Sequence, residues 1–324
     1  MKVLVTGASG FVGCAVWQRL NNMSGVQAVG CVRRADAFSD TNAAIVTVGD
    51  LSAQTDWTVA LAGADAVVHL AARVHVMRDT VRDPLAEFRR VNTEGTLNLA
   101  RQAAAAGVKR FVFISSLKVN GEVTQPGHAF TEADVSSPQD AYGQSKQEAE
   151  QGLRQIASTT GMEVVIIRPP LVYGPGVKAN FASLMRAVQR GWPLPLGAVL
   201  NQRSFVALDN LVDLIVTCIT HPRAANQTFL VSDGKDLSTP DLIKRMARAM
   251  NRPARLMPVP VWALKAGASL LGKGDEVQRL CGNLQVDISK ARSLLGWVPP
   301  VSVEEGLRRA VGGPRSCGTR SRAD

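Results

Sequence analysis

Cysteine is sparse and scattered in this chain. Cys14, Cys31, Cys218, Cys281 and Cys317 form no CxxC pair and share no metal-ligand spacing with histidine. They read as isolated thiols, small buried hydrophobes of a reducing compartment. Histidine is rarer still: His69, His75, His128 and His221 also lack ligand spacing, so no metal is expected. His69 ends an apolar run and is expected as a packed strand-end residue. No apolar run approaches the roughly 20 residues a bilayer demands. "VDLIVTCIT" and "WALKAGASLLG" are short and carry Asp213 or Lys265. The opening "MKVLVTGASG" reaches glycine too early for a secretory core. A cytoplasmic protein without membrane insertion is expected. No stripe interleaves bases with aromatics, which argues against a nucleic-acid partner.

What is present is an ordinary globular composition, 46% hydrophobic and 20% charged over 324 residues, with a formal charge of +10. Part of that charge (Arg315, Arg320, Arg322) lies in the Gly/Ser-rich stretch 312–324, which is expected to be disordered. The remaining surplus suits an anionic small molecule through electrostatic steering.

Periodicity divides the chain near residue 170. Before it, β-rich runs at 2–6, 26–34, 43–50, 64–72, 109–116 and 162–170 alternate with helical patterns at 11–20, 84–106 and 139–158. That alternation predicts an α/β fold: a Rossmann-type, doubly wound parallel sheet over residues 1–170. Gly and Pro concentrate afterwards, in "LVYGPGVKANF" and "RGWPLPLG". A smaller, irregular α+β region is expected over 171–311, with the strand "NQTFLVSDG" (226–234) returning to the main sheet.

Two motifs carry chemistry. "TGASGFVG" (6–13) places Gly7, Gly10 and Gly13 between the first strand and first helix. Such a turn lets the backbone approach a pyrophosphate, which then meets the unpaired N–H groups of the helix start. The second strand ends in Cys31-Val32-Arg33-Arg34, and its first acid is Asp36. Arginine there suits a 2′-phosphate, so NADP(H) is favoured over NAD(H). Asp50 and Leu51, after the third strand, are placed to hold adenine. The second motif is "YGQSK". Tyr142 and Lys146, four apart on a helix, share one face. The ammonium is expected to lower the phenol pKa from its usual ~10 toward useful acid/base range. The chain has two tyrosines, and one sits here.

Together with "HLAA" (69–72), "VNTEGTLNL" (91–99), the serines of "SSLKVNGE" (115–122), "RPPLVYGPG" (168–176), "RSFVALDNLVD" (203–213) and "DISKARSLLGWVPPVSVEEGL" (287–307), these motifs resemble the extended short-chain dehydrogenases/reductases. The resemblance is to the NAD-dependent epimerase/dehydratase branch acting on nucleotide sugars, over residues 1–311. It implies a catalytic set of Ser116, Tyr142 and Lys146. It implies cofactor contacts from Gly7, Gly10, Phe11, Val12, Gly13, Arg33, Asp50, Leu51, Leu70, Ala71, Ala72, Asn92, Pro169 and Leu171, besides Tyr142 and Lys146. Asn92 is equally readable as a structural bridge. A UDP-linked sugar is implied as substrate, held by Ser116, Asn180, Phe181, Arg203 and Arg279, and a homodimer as the assembly.

Family dehydratases carry a carboxylate directly after the catalytic serine or threonine. Here Leu117 and Lys118 follow, which disfavours dehydration. Arg33 then tips the expectation toward a 4-ketoreductase of a UDP-4-keto-6-deoxy-N-acetylhexosamine in surface-polysaccharide synthesis. A UDP-glucose 4-epimerase is the alternative. A non-catalytic dinucleotide sensor on the same fold is the reading from another class, opposed by the complete Ser116/Tyr142/Lys146 set.

Overall fold

The computed structural model describes residues 1–34, 44–74, 83–270 and 274–313. Asp36, His75, Cys317 and the tail arginines lie outside the described residues. Seven parallel strands form the main sheet: β1 (Lys2–Thr6), β2 (Gln27–Val32), β3 (Ile45–Thr47), β4 (Ala66–His69), β5 (Arg110–Ile114), β6 (Glu163–Arg168) and β9 (Thr228–Leu230). Their order is β3-β2-β1-β4-β5-β6-β9.

Neighbouring side chains on each strand face opposite helical layers, so both must be apolar. Val3 and Val5 of β1, with Val112 and Ile114 of β5, join one core. Leu4, Phe111 and Phe113 join the other. Helices α1 (Phe11–Asn21) and α7 (Leu208–Thr220) cover the first face. The second is covered by α4 (Gly95–Ala105) and α5 (Ala141–Thr160), with the short α2 (Thr58–Leu61).

The strand order reverses direction between β1 and β4. In an open α/β sheet the crevice beyond the carboxyl ends at that point takes the ligand. The helical pattern over 84–106 is not one α-helix. It runs as α3 (Pro84–Phe88), a π-turn over Arg89–Glu94, and then α4. Leu51 packs against the start of α4, where a Cβ on Gly95 would lie 2.6 Å from the Leu51 Cγ.

Beyond β6, a two-stranded sheet of β7 (Leu171–Tyr173) and β8 (Phe205–Ala207) supports a third core with α6 (Ala179–Gln189) and α8 (Thr239–Ala249). This layer stands beside the carboxyl ends of β5 and β6 and walls the site.

Candidate active site

The glycine turn after β1 is built by close approach. Gly7 adopts φ +65°, a left-handed conformation that favours glycine. A Cβ on Gly13 would stand 2.1 Å from the Gly7 carbonyl oxygen. Helix α1 therefore starts tight against the turn. The side chains of Phe11 and Val12 are partly buried and pack on the core.

A cleft of about 650 Å³ opens beside this turn. Gly7, Gly10, Arg33, Asp50, Leu51, Leu70, Ala71 and Ala72 line it. Its floor is set by a buried hydrogen-bonded chain. The Thr6 hydroxyl lies 2.7 Å from His69 Nδ1, and His69 Nε2 lies 2.9 Å from the Thr96 hydroxyl. Thr6 Oγ1 already accepts from the Leu70 and Ala71 N–H groups, so its single proton goes to Nδ1. His69 is thereby the neutral Nε2–H tautomer and donates to Thr96. Burial, reinforced by Lys146, depresses its pKa to about 3. This neutral imidazole holds the loop that passes the glycine turn.

Arg33 and Asp50 are both exposed at the far end of the cleft, with 3.8 Å between guanidinium and carboxylate. The cation that suggested a 2′-phosphate site thus stands beside an acid. The glycine turn, the helix start and the Asp50-Leu51 pair fit a dinucleotide. They do not discriminate NADP from NAD.

Asn92 does not line this cleft. Fully buried in the π-turn, it accepts from the Arg73 N–H at 2.8 Å and donates to the Arg73 carbonyl and the Ser145 hydroxyl. It bridges the loop after β4 to α5, the structural alternative of its two readings. The π-turn, invisible to a 3.6-residue pattern, brings it there.

A second cavity of about 490 Å³ adjoins the first through Val74, which lines both. Ser116, Tyr142, Pro169, Leu171, Asn180, Phe181, Arg203 and Arg279 meet around it. β5 delivers Ser116 just past the sheet edge, and α5 delivers Tyr142 in its first turn. The two side chains line the same cavity. Asp140 caps α5 by accepting from the Gly143 N–H at 2.7 Å. One turn below, buried Lys146 donates to the Ile114 carbonyl at 2.9 Å, with its ammonium 4.5 Å from the Phe113 ring centroid.

The electrostatics differ from the simple expectation for YxxxK. The Tyr142 phenol is pushed up to about 12, by burial first and the Asp140 carboxylate second, with the Ser116 hydrogen bond opposing both. The Lys146 ammonium lies 6.0 Å from the Tyr142 ring centroid and is engaged with Ile114. Burial lowers Lys146 itself to about 7, against the pull of Glu150. On the opposite wall, burial lowers Arg203 to about 10, and Arg279 pushes the same way. Both cations line the one cavity, Arg203 with its charge partly desolvated.

Sequence spacing gave no role to several lining residues, among them Lys118, Glu122, Val177 and Lys178. The missing acid beside the serines is missing along the chain but not in space. Lys118 is ion-paired with Glu122 at 2.8 Å and, more closely, with Asp140. Among the described residues no cluster of His, Cys, Asp and Glu could hold a metal. None of the described helices is long and apolar enough to cross a membrane.

A parallel sheet with a glycine turn at its switch point, and Ser, Tyr and Lys at the adjoining edge, defines an extended short-chain dehydrogenase/reductase. More narrowly, the chain belongs to the NAD dependent epimerase/dehydratase family, whose model matches residues 3–232. It is 51% identical over 311 residues to a UDP-glucose 4-epimerase of Vibrio cholerae, covering 96% of this chain and 94% of that one. In fold it resembles the UDP-glucuronic acid 4-epimerase of Bacillus cereus, solved with NAD (TM-score 0.76, 24% identity, 96% and 95% of the two chains). It also resembles RMD of Pseudomonas aeruginosa, solved with NADPH (TM-score 0.73, 23% identity, 96% and 98%).

Proposed function

We propose that this protein is a UDP-hexose 4-epimerase interconverting UDP-glucose and UDP-galactose with NAD. One observation carries the reading: the 51% identity to a UDP-glucose 4-epimerase runs across 96% of the chain and so includes both cavities. The 4-ketoreductase expected from Arg33 has less behind it, because that arginine stands beside Asp50 instead of facing the cleft alone.

NAD, when bound, would supply a reversible hydride acceptor. The residues of this chain do the rest. The Ser116 hydroxyl holds the sugar C4 oxygen, and Tyr142 takes its proton and later gives it back. Lys146, fixed on the Ile114 carbonyl, holds the nicotinamide ribose and adds positive charge below the phenol. Arg203 and Arg279 bind the diphosphate, with Asn180 at the start of α6 beside them. Phe181 is buried and stacked on Tyr173, with ring centroids 5.4 Å apart, which makes that wall rigid. Anchoring the diphosphate leaves the sugar as the part that turns between the two hydride transfers. This places binding energy remote from the reacting carbon. The protein pairs with a second copy through the layer formed by α3, the π-turn, α4 and α5.

The bound dinucleotide tests the cofactor half of this reading. Denaturing the purified protein and identifying what it releases is expected to give NAD. Release of NADP would return the reductase to first place.

A further inference from the structure

Lys118 has no role in the function proposed above, yet its surroundings are built. It follows Ser116 by two residues, and its N–H donates to the Ser116 hydroxyl at 3.2 Å. Its ammonium meets the Asp140 carboxylate, the cap of α5, two residues before Tyr142. The Lys118 carbonyl lies against the first turn of α5, where a Cβ on Gly143 would come within 2.9 Å of it. Gly143 is therefore the only residue type that lets the two segments close.

We propose that Lys118 is a positioning residue for Tyr142: its ammonium offsets the Asp140 carboxylate beside the phenol and fastens the Ser116 turn to the first turn of α5. This rests on reading Tyr142 as the acid/base of the site. A helix needs a cap, and Asp140 provides it. A bare carboxylate so close to a phenol disfavours the phenolate on which proton removal depends. Lys118 lets the cap stay while reducing its cost to the chemistry.

Among the described residues, other charged and polar groups near Tyr142 come from several elements. On α5 they are Asp140 and Lys146. From the turn after β5 come Ser116, Lys118 and Glu122. From the side of α3, Phe88 meets the Tyr142 ring edge-on, with Arg73 over Phe88 and Glu87 3.8 Å from Arg73. Across the cavity stand Arg203 and Arg279, and Glu122 pulls on Arg203 as well as pairing with Lys118. Lys118 pairs with Asp140.

The test exploits the fact that the chain has two tyrosines. Tyr173 donates to the Asp233 carboxylate at 2.6 Å, and burial holds it far above the ordinary phenol range. Tyrosinate absorbance in the NAD-loaded protein therefore reports Tyr142, with Tyr142→Phe as the blank. It is read by rapid pH-jump mixing, before alkali unfolds the chain. Read below the ordinary lysine pKa of ~10.4, where Lys118 still carries its charge, Lys118→Met should show about tenfold less tyrosinate than the unaltered protein. Lys118→Arg should coincide with the unaltered protein. Asp140→Asn, which still caps the helix, should move the midpoint down. A Lys118→Met titration that superimposes on the unaltered protein overturns the proposal, as does an equal displacement in Lys118→Arg or an unmoved midpoint in Asp140→Asn. The titration needs no sugar substrate, so failure of the epimerase reading leaves it intact.

Discussion

The Lys146 ammonium donates to the main-chain carbonyl of Ile114, the last residue of the strand that delivers Ser116. One hydrogen bond of 2.9 Å thus sets the helix bearing Tyr142 against the strand end bearing its partner hydroxyl. Tyr142→Phe should leave the fold unchanged by circular dichroism and lower 4-epimerisation by about 10²–10⁴-fold, the usual contribution of a positioned acid/base. Lys146→Met should fall in the same range, because it removes both the tie to β5 and the charge below the phenol.

His69 makes stability pH-dependent. Its pKa is about 3 in the fold against an ordinary 6.5. Between those values the unfolded chain binds the proton that the folded chain refuses, so stability falls as pH falls through that window. The loss from this residue is about 1.4 kcal/mol for each pH unit. Denaturant midpoints measured down the acid range should show this slope, and His69→Gln should flatten it while lowering stability near neutrality.

Glu150 is a buried carboxylate with several partners. It accepts from Arg168 through both oxygens, at 2.8 and 2.6 Å, and from the Ser115 hydroxyl at 2.6 Å. Arg168 also donates to Asn120 at 2.9 Å, which supports the turn after Ser116. Glu150→Ala leaves a buried guanidinium unpaired and should cost about 3–5 kcal/mol of unfolding free energy. Glu150→Gln, which keeps the shape, should cost less, and calorimetry of the two variants separates charge from packing.

Gly13→Ala places a methyl group against the Gly7 carbonyl at 2.1 Å, a contact that no rotamer relieves because the partner is main chain. The turn must open, and retained dinucleotide should be lost from the purified variant. Gly25→Ala is the control: a Cβ there meets nothing within 4 Å, so only the strain of its φ of +76° is expected.

The residues legible in the sequence are those whose placement follows from local periodicity. Tyr142 and Lys146 share one face of a helix pattern and Ser116 ends a β-branched run, while the resemblance to the family is what grouped the three. The doubly wound parallel sheet and the return of Thr228–Leu230 to β6 agree with the alternation of strand and helix patterns. What stayed hidden depends on contacts between distant segments. Lys118 and Asp140 are 22 residues apart, so no spacing pattern links them. Asn92 turns inward because the helix passes through a π-turn that shifts its face. The Tyr142 phenol lies high instead of low because burial outweighs the charge of an ammonium already held by Ile114. Arg33 suggested a phosphate partner by its place at the strand end, and Asp50 reaches it only through the loop after β3.

The central claim is that hydride leaves and returns to C4 of one UDP-hexose within a single site. Purified protein incubated with UDP-glucose, with no dinucleotide or reductant added, tests it most directly. The account predicts that UDP-galactose accumulates to a constant ratio, and that starting from UDP-galactose reaches the same ratio. No interconversion from either side, together with stoichiometric NADPH consumption on a UDP-4-keto-6-deoxy sugar, would contradict it.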